Sequence, residues 1–308
     1  MRLVHLGNVV VDLVLTVGDL PARGGDVIAS STTTSPGGGF NVMAAAARLG
    51  LTTLYAGALG TGPFGDRARA ALLAEGIDWL LPARTGLDTG FVVTLVDSSG
   101  ERTFVTSPGA EATLRSTDLF QPGLDDLVYL SGYSLLHDAN RDALIRWLPT
   151  IPAGVQVFFD PGPLVADIPS TTLEPVLARA DWLSCNSTEA QAMTGSNDPT
   201  EAARALMARA GRSSELGAGR VLVRVGRAGC LLGVQGEVVS VAGFAVEAVD
   251  LNGAGDAHSG AFLAGIAEGK EPAEAARWAN AAAALAVTRR GPATGPSRAG
   301  LEGFLRAH

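Results

Sequence analysis

The stretch Asp250-Leu251-Asn252-Gly253-Ala254-Gly255-Asp256-Ala257 joins an apolar run to a long Ala-rich segment with a helical pattern. Gly253 and Gly255 free the backbone to curl, so that successive N–H groups converge on one point, where the following helix adds the positive end of its dipole. Such a turn is a cradle for an anion. Asp256 at its mouth would repel a bound phosphate unless it takes a proton from a group attacking that phosphate, which points to phosphoryl transfer to a hydroxyl. Taken alone, the same residues also read as a Gly-rich turn capped by Asp at a helix start.

Three further loops follow predicted strands: Asp160-Pro161-Gly162-Pro163, Asn186-Ser187-Thr188-Glu189 and Gly226-Arg227-Ala228-Gly229. In an open α/β sheet, ligands sit at the carboxyl ends of strands. Convergence of these loops with 250–257 would give glycines for phosphate approach, an Asn/Glu pair for magnesium and its waters, and one Asp for proton abstraction. Earlier in the chain, Ser35-Pro36-Gly37-Gly38-Gly39-Phe40-Asn41 opens a helix and lets a small polar ligand touch backbone. Asp12 lies inside an apolar strand, where an unpaired acid costs several kcal/mol, so it requires a ligand or a structural partner.

Periodicity gives the strands and helices around these residues. Residues 3–15 read as a buried strand running into a more exposed one, 27–34 as a strand, 42–49 as a helix, 54–59 as a strand and 67–75 as a helix. Residues 91–97 and 102–106 flank Ser98-Ser99-Gly100-Glu101 as a hairpin. With 13–34 the hairpin forms a small antiparallel lid, spanning about 13–34 and 90–107. From 126 onward strands (127–131, 155–159, 182–185, 221–225) alternate with helices (139–147, 171–178, 199–210), which implies βαβ crossovers and a mostly parallel sheet covered on both faces. A second hairpin (231–234, 238–241) and helices 257–268 and 272–287 complete the pattern. Residues 212–219 are expected to be a mobile loop, and residues 1–308 to form a single domain.

The bulk composition narrows the partners. A net charge of -8 and a pI near 5.0 argue against nucleic acid or an anionic membrane surface. Cys185 and Cys230 are far apart and lack metal-ligand spacing, so they are expected in the core. No signal-peptide pattern and no run of ~18 apolar residues is seen, and a cytoplasmic enzyme is the expectation.

The order and spacing of four of these elements resemble the PfkB, or ribokinase-like, carbohydrate kinases from end to end. They are the Gly-Gly plus Asn element at 37–41, Asn-x-x-Glu at 186–189, Gly-x-x-Gly at 226–229 and Asp-x-x-Gly-Ala-Gly-Asp at 250–256. The resemblance implies a three-layer α/β/α sandwich with a β lid, and an ATP- and Mg2+-dependent kinase acting on a hydroxyl of a small sugar or polyol. It implies Asp256 as general base, with Gly253, Ala254 and Gly255 as the anion hole. Asp12, Gly37, Gly38 and Asn41 would bind the substrate. Asn186, Arg224, Gly226, Gly229 and Asn280 would bind nucleotide, the last beside adenine. Glu189 would organise Mg2+ through water, and Asp250, with the loop 288–292, would hold a monovalent cation such as K+.

The departures fall mostly on the substrate side. Val10 replaces a polar residue, Phe40 precedes Asn41, Arg224 stands where Thr is usual, and Asn252 and His258 replace Thr and Phe. The alternatives are therefore a nucleoside kinase of adenosine or pseudouridine type, with Phe40 walling the base, or a sugar-phosphate kinase, which would need an arginine clamp because Lys270 is the only lysine. A non-catalytic sugar- or nucleotide-binding regulator is the remaining reading. Arg102 is read as a contact for an anionic substrate or as a solvated charge, and His258 as a packing residue. The exposed edges of the lid suggest a homodimer, against which a monomeric mass at micromolar concentration would count.

Overall fold

The computed structural model describes residues 1–212 and 219–308; six residues of the expected loop 212–219 lie outside the described residues. The first part of the chain runs β1 (Arg2–Leu6), β2 (Val9–Thr16), β3 (Ser31–Gly38), α1 (Gly39–Arg48), β4 (Thr53–Tyr55), α2 (Pro63–Ala74), β5 (Asp78–Trp79), β6 (Phe91–Val96) and β7 (Arg102–Ser107). The alternating part follows with β8 (Asp126–Ser131), α3 (Gly132–Leu135), α4 (Asp138–Trp147), β9 (Gln156–Asp160), α5 (Ser170–Arg179), β10 (Trp182–Asn186), α6 (Ser187–Thr194), α7 (Pro199–Met207) and β11 (Arg220–Arg224). The chain closes with β12 (Gly229–Val234), β13 (Glu237–Ala242), α8 (Ala254–Ala267), α9 (Pro272–Val287) and α10 (Arg298–Ala307).

One nine-stranded sheet has the order β13-β12-β11-β10-β9-β8-β1-β4-β5. Its pairings are parallel from β5 to β11 and antiparallel at β11–β12 and β12–β13. Central strands such as β8 are buried along their whole length, as apolar runs covered on both faces must be. One face carries the core of Val4, Val128, Val157, Leu183 and Val223 with α4, α5 and α7; the other carries Leu3, Leu127, Phe158, Trp182 and Leu222 with α8 and α9. The fold is the three-layer α/β/α sandwich. Both cysteines are buried, and among the described residues no helix is long and apolar enough to cross a membrane.

The second sheet, the small lid, has the order β3-β2-β6-β7. Its two outer pairings are antiparallel, as expected of the lid, and its central pair, β2 with β6, runs parallel. The strand expected at 27–34 lies instead at Ser31–Gly38 and includes Pro36 and two of the three glycines. Its edge position explains this: a proline missing its N–H is tolerated where one side of the strand is unpaired. Among the elements the periodicity missed, α10 is a helix with Leu301 as its one buried residue, and β5 is a two-residue edge strand.

Candidate active site

The site grows from strand ends. β1, β8, β9, β10 and β11 all finish at one rim of the large sheet, placing Ser131, Asp160, Asn186 and Arg224 along a cavity of about 1090 Å³. The Gly-rich turn before α8 also lines this cavity, and the lid contributes Asp12, Gly38 and Phe104.

Gly253 is the N-cap of α8 with φ 75°, and a Cβ there would lie 1.7 Å from the Pro292 carbonyl oxygen, so only glycine fits. The helix begins at Ala254, three residues earlier than expected, and this puts Asp256 in its first turn. Gly260 lets α8 close on α1, since a Cβ would meet Val42 O at 2.6 Å. That approach brings Asn41 of α1 to Asp256, with Nδ2 donating to Oδ2 at 3.1 Å. Burial raises the Asp256 carboxyl from 3.8 to about 7; Asn41 opposes this, Asp160 and Asp12 add to it, and Arg224 draws it down.

Asp12 sits mid-strand in β2 and faces the same cavity. Its carboxylate accepts no hydrogen bond from the described residues, and burial pushes it up to about 6. Gly37 does not line the cavity; a Cβ at Gly37 would meet Asp12 Oδ2 at 2.2 Å, so this glycine makes room for the acid. Gly38 does line it, with φ 61° and a Cβ position 2.6 Å from Asn8 O.

Asn186 and Glu189 form a reciprocal cap on α6. Glu189 N donates to Asn186 Oδ1 at 2.9 Å, while Asn186 N and Nδ2 donate to Glu189 at 2.7 and 2.8 Å. Arg224 closes this wall: Nη1 donates to Asp160 at 3.1 Å and to Ser184 Oγ at 2.5 Å, and Nη2 reaches Glu189 at 3.4 Å. Its guanidinium lies within 3.7 Å of where a Gly255 Cβ would stand, so a fixed positive charge flanks the Gly-rich turn. Burial and the Asp160 charge push the Glu189 carboxyl up, against the pull of Arg224 and the Asn186 amide. Among the described residues no three His, Cys, Asp or Glu side chains gather as a bare metal site. Two carboxylates, Asp160 and Glu189, facing a cavity and already hydrogen-bonded, fit an ion that keeps its own waters, as Mg2+ does.

Gly226 lines the cavity, and Gly229 packs against Val241 O, where a Cβ would stand at 2.2 Å. Asn280 is tied by Nδ2 to Val241 O and Ala242 O at 2.9 and 3.1 Å, and its Oδ1 meets His258 Nε2 at 3.2 Å. His258 thus serves α8–α9 packing, as its spacing from Asp256 implies, and burial drives its imidazole down to about 3.

Two substrate-side readings change. Phe40 is 4% exposed in a core with Val9, Met43 and Tyr55 and lines no part of the cavity, so it cannot wall a base. The phenylalanine and tyrosine side chains that line the cavity are Phe104 of β7, 58% exposed, Tyr129 of β8, Tyr133 of α3 and Phe244; none of them belongs to a motif that sequence reasoning can pick out. Arg102, 27% exposed, is paired rather than free: its Nη2 donates to Asp250 Oδ1 at 2.5 Å.

The chain matches the pfkB family of carbohydrate kinases over residues 2–299. It belongs to that family. The kinase is 31% identical over 309 residues to the uncharacterized sugar kinase YegV of Escherichia coli, covering 98% of this chain and 92% of the relative. It superposes on Arabidopsis thaliana ribokinase complexed with ribose and ATP with a TM-score of 0.79 and 27% identity, covering 99% and 98% of the two chains. A candidate ribokinase II of E. coli in complex with ATP and Mg2+ gives 0.85 and 26%, covering 100% and 99%. The kinase is accordingly a phosphotransferase with an alcohol group as acceptor.

Proposed function

We propose that this kinase transfers the γ-phosphate of ATP to a hydroxyl of a small neutral sugar or polyol, with Asp256 as general base. One observation carries the reading: the Asp256 carboxylate stands in the first turn of α8, beside Asn41 and facing the same cavity as Asp12. A hydroxyl held by Asp12 and Asn41 would present its proton to Asp256. The α8 N-terminus and Arg224 would then meet the charge gathering on the phosphoryl oxygens. Mg2+ would be held through water by Glu189 and Asp160, and when bound it neutralises phosphate charge. The lid, with Phe104 facing inward, would keep water out.

A neutral acceptor is favoured over a sugar phosphate because the acceptor wall is acidic and Arg102 is already paired. The similarity to a ribokinase complexed with ribose and ATP supports the donor and the sugar class. An ADP-release screen over neutral sugars, sugar phosphates and nucleosides tests this. Turnover confined to neutral sugars is expected; turnover confined to phosphorylated acceptors would overturn it.

Asp256 must be ionised to accept a proton. With its carboxyl raised to about 7, kcat/KM is expected to fall about tenfold per pH unit below that value; a profile flat from pH 5.5 to 8 would remove Asp256 from the role. Asp12→Asn is expected to raise the acceptor KM by ~10- to 100-fold with ATP KM unchanged, as loss of a charge-assisted hydrogen bond dictates. Equal KM values for the acceptor in both proteins would take Asp12 out of the substrate site.

A further inference from the structure

Asp250 lies three residues before the N-cap of the anion cradle, on the loop that leads into it. Its charge is of the sign that repels phosphate, and a kinase must neutralise it. A mobile cation or a fixed side chain can do so. A bare monovalent ion needs oxygen lone pairs around it, whereas the carboxylate here is surrounded by donors. Oδ1 accepts from Arg102 Nη2 at 2.5 Å and from Asn252 N at 2.9 Å, and Oδ2 accepts from Gly291 N at 3.0 Å. These residues therefore do not fit a K+ ligand set centred on Asp250.

Arg102 is the first residue of β7, opposite Val96 in the lid hairpin, and 148 positions from Asp250 in the chain. Its side chain is 27% exposed and that of Asp250 14%, so the pair is shielded from bulk screening more than a surface bridge is. The Asp250 oxygens also fix the amides of Asn252, beside the cradle, and of Gly291, next to the Pro292 that packs on Gly253. One carboxylate thus joins the lid strand, the cradle loop and the loop after α9.

We propose that Arg102 is the fixed cation of Asp250: it ties the lid to the anion cradle and leaves this kinase without a monovalent-cation requirement. Arg102 is a positioning residue, acting through Asp250 and the two amides. The proposal rests on the phosphoryl-transfer reading of the Gly253–Asp256 turn, and the test separates the two.

The test compares wild type, Arg102→Met and Arg102→Lys in KCl and in tetramethylammonium chloride at equal ionic strength, reading acceptor-dependent ADP release and the melting temperature. Wild type is expected to show the same rate and the same melting temperature in both salts. Arg102→Met should lose about tenfold in rate in tetramethylammonium, the cost of leaving a shielded charge unpartnered, and regain part of that rate, and melting temperature, in K+. Arg102→Lys should keep the indifference to K+. A wild-type rate raised about tenfold or more by K+ would overturn the proposal while leaving the kinase intact. So would an Arg102→Met protein with unchanged rate and melting temperature in both salts. Absence of ADP release with every acceptor would fail the phosphoryl-transfer reading instead, and the melting comparison would then still decide whether Arg102 replaces K+ at Asp250.

Discussion

Asp256→Asn is expected to lower turnover by ~10²- to 10⁴-fold, the usual contribution of a general base, and at the same time to make the protein more stable at pH 8. The two effects have one cause. Burial beside Asp160 and Asp12 raises the Asp256 carboxyl from 3.8 to about 7, so the folded state favours the protonated acid. Its contribution to stability is fully present below about pH 4, where the unfolded chain is protonated too, and is lost as pH rises through about 7. At pH 8 the ionised acid costs up to about 4 kcal/mol, at about 1.4 kcal/mol per pKa unit. Asparagine removes that cost and can still accept the Asn41 amide proton. Urea unfolding should show the variant more stable by ~1–4 kcal/mol at pH 8, with the gap closing toward pH 5. A variant less stable than wild type at pH 8 would contradict the account of the buried acid.

Gly253→Ala is expected to have the second largest effect. A left-handed φ of 75° costs an L-residue about 1–2 kcal/mol, and the added Cβ would overlap the Pro292 carbonyl at 1.7 Å, so the cradle or the 288–292 loop must shift. Loss of aligned donors to a transition-state anion costs ~10²- to 10³-fold. kcat/KM should fall by that factor together with ~2–4 kcal/mol of stability. Gly269→Ala, just past the far end of α8 and outside the cavity lining, is the control for strain alone: its φ is 78° and its Cβ would meet nothing within 4 Å, so about 1 kcal/mol and little else should be lost. Near wild-type activity in Gly253→Ala would show that the turn does not hold the phosphoryl group.

How much of this was legible in the sequence depends on what kind of signal a residue carries. The alternating strands and helices after residue 126 are read from period alone, because buried parallel strands are continuous apolar runs. Gly253 and the Asn186/Glu189 cap are legible because a left-handed turn and a reciprocal cap each demand particular residue types at fixed spacing. β3 was displaced by four residues because Pro and Gly read as a turn, and only the pairing with β2 shows them to be an edge strand. The parallel β2–β6 contact is likewise a matter of topology. Phe40 and Phe104 exchange roles for the same reason: both are aromatic residues near Gly-rich or hairpin segments, and only the fold decides which faces the core and which the cavity. The pairing of Arg102 with Asp250, 148 positions apart, has no local signature at all.

The proposed reaction turns on removal of the acceptor proton by Asp256 during transfer from ATP. Single-turnover formation of the phosphorylated acceptor, with ATP and acceptor saturating, tests it most directly in wild type and Asp256→Asn. With Asp256 as the base, the variant should form product at least ~100-fold more slowly with ATP affinity retained; a variant rate close to that of wild type would rule Asp256 out of that role.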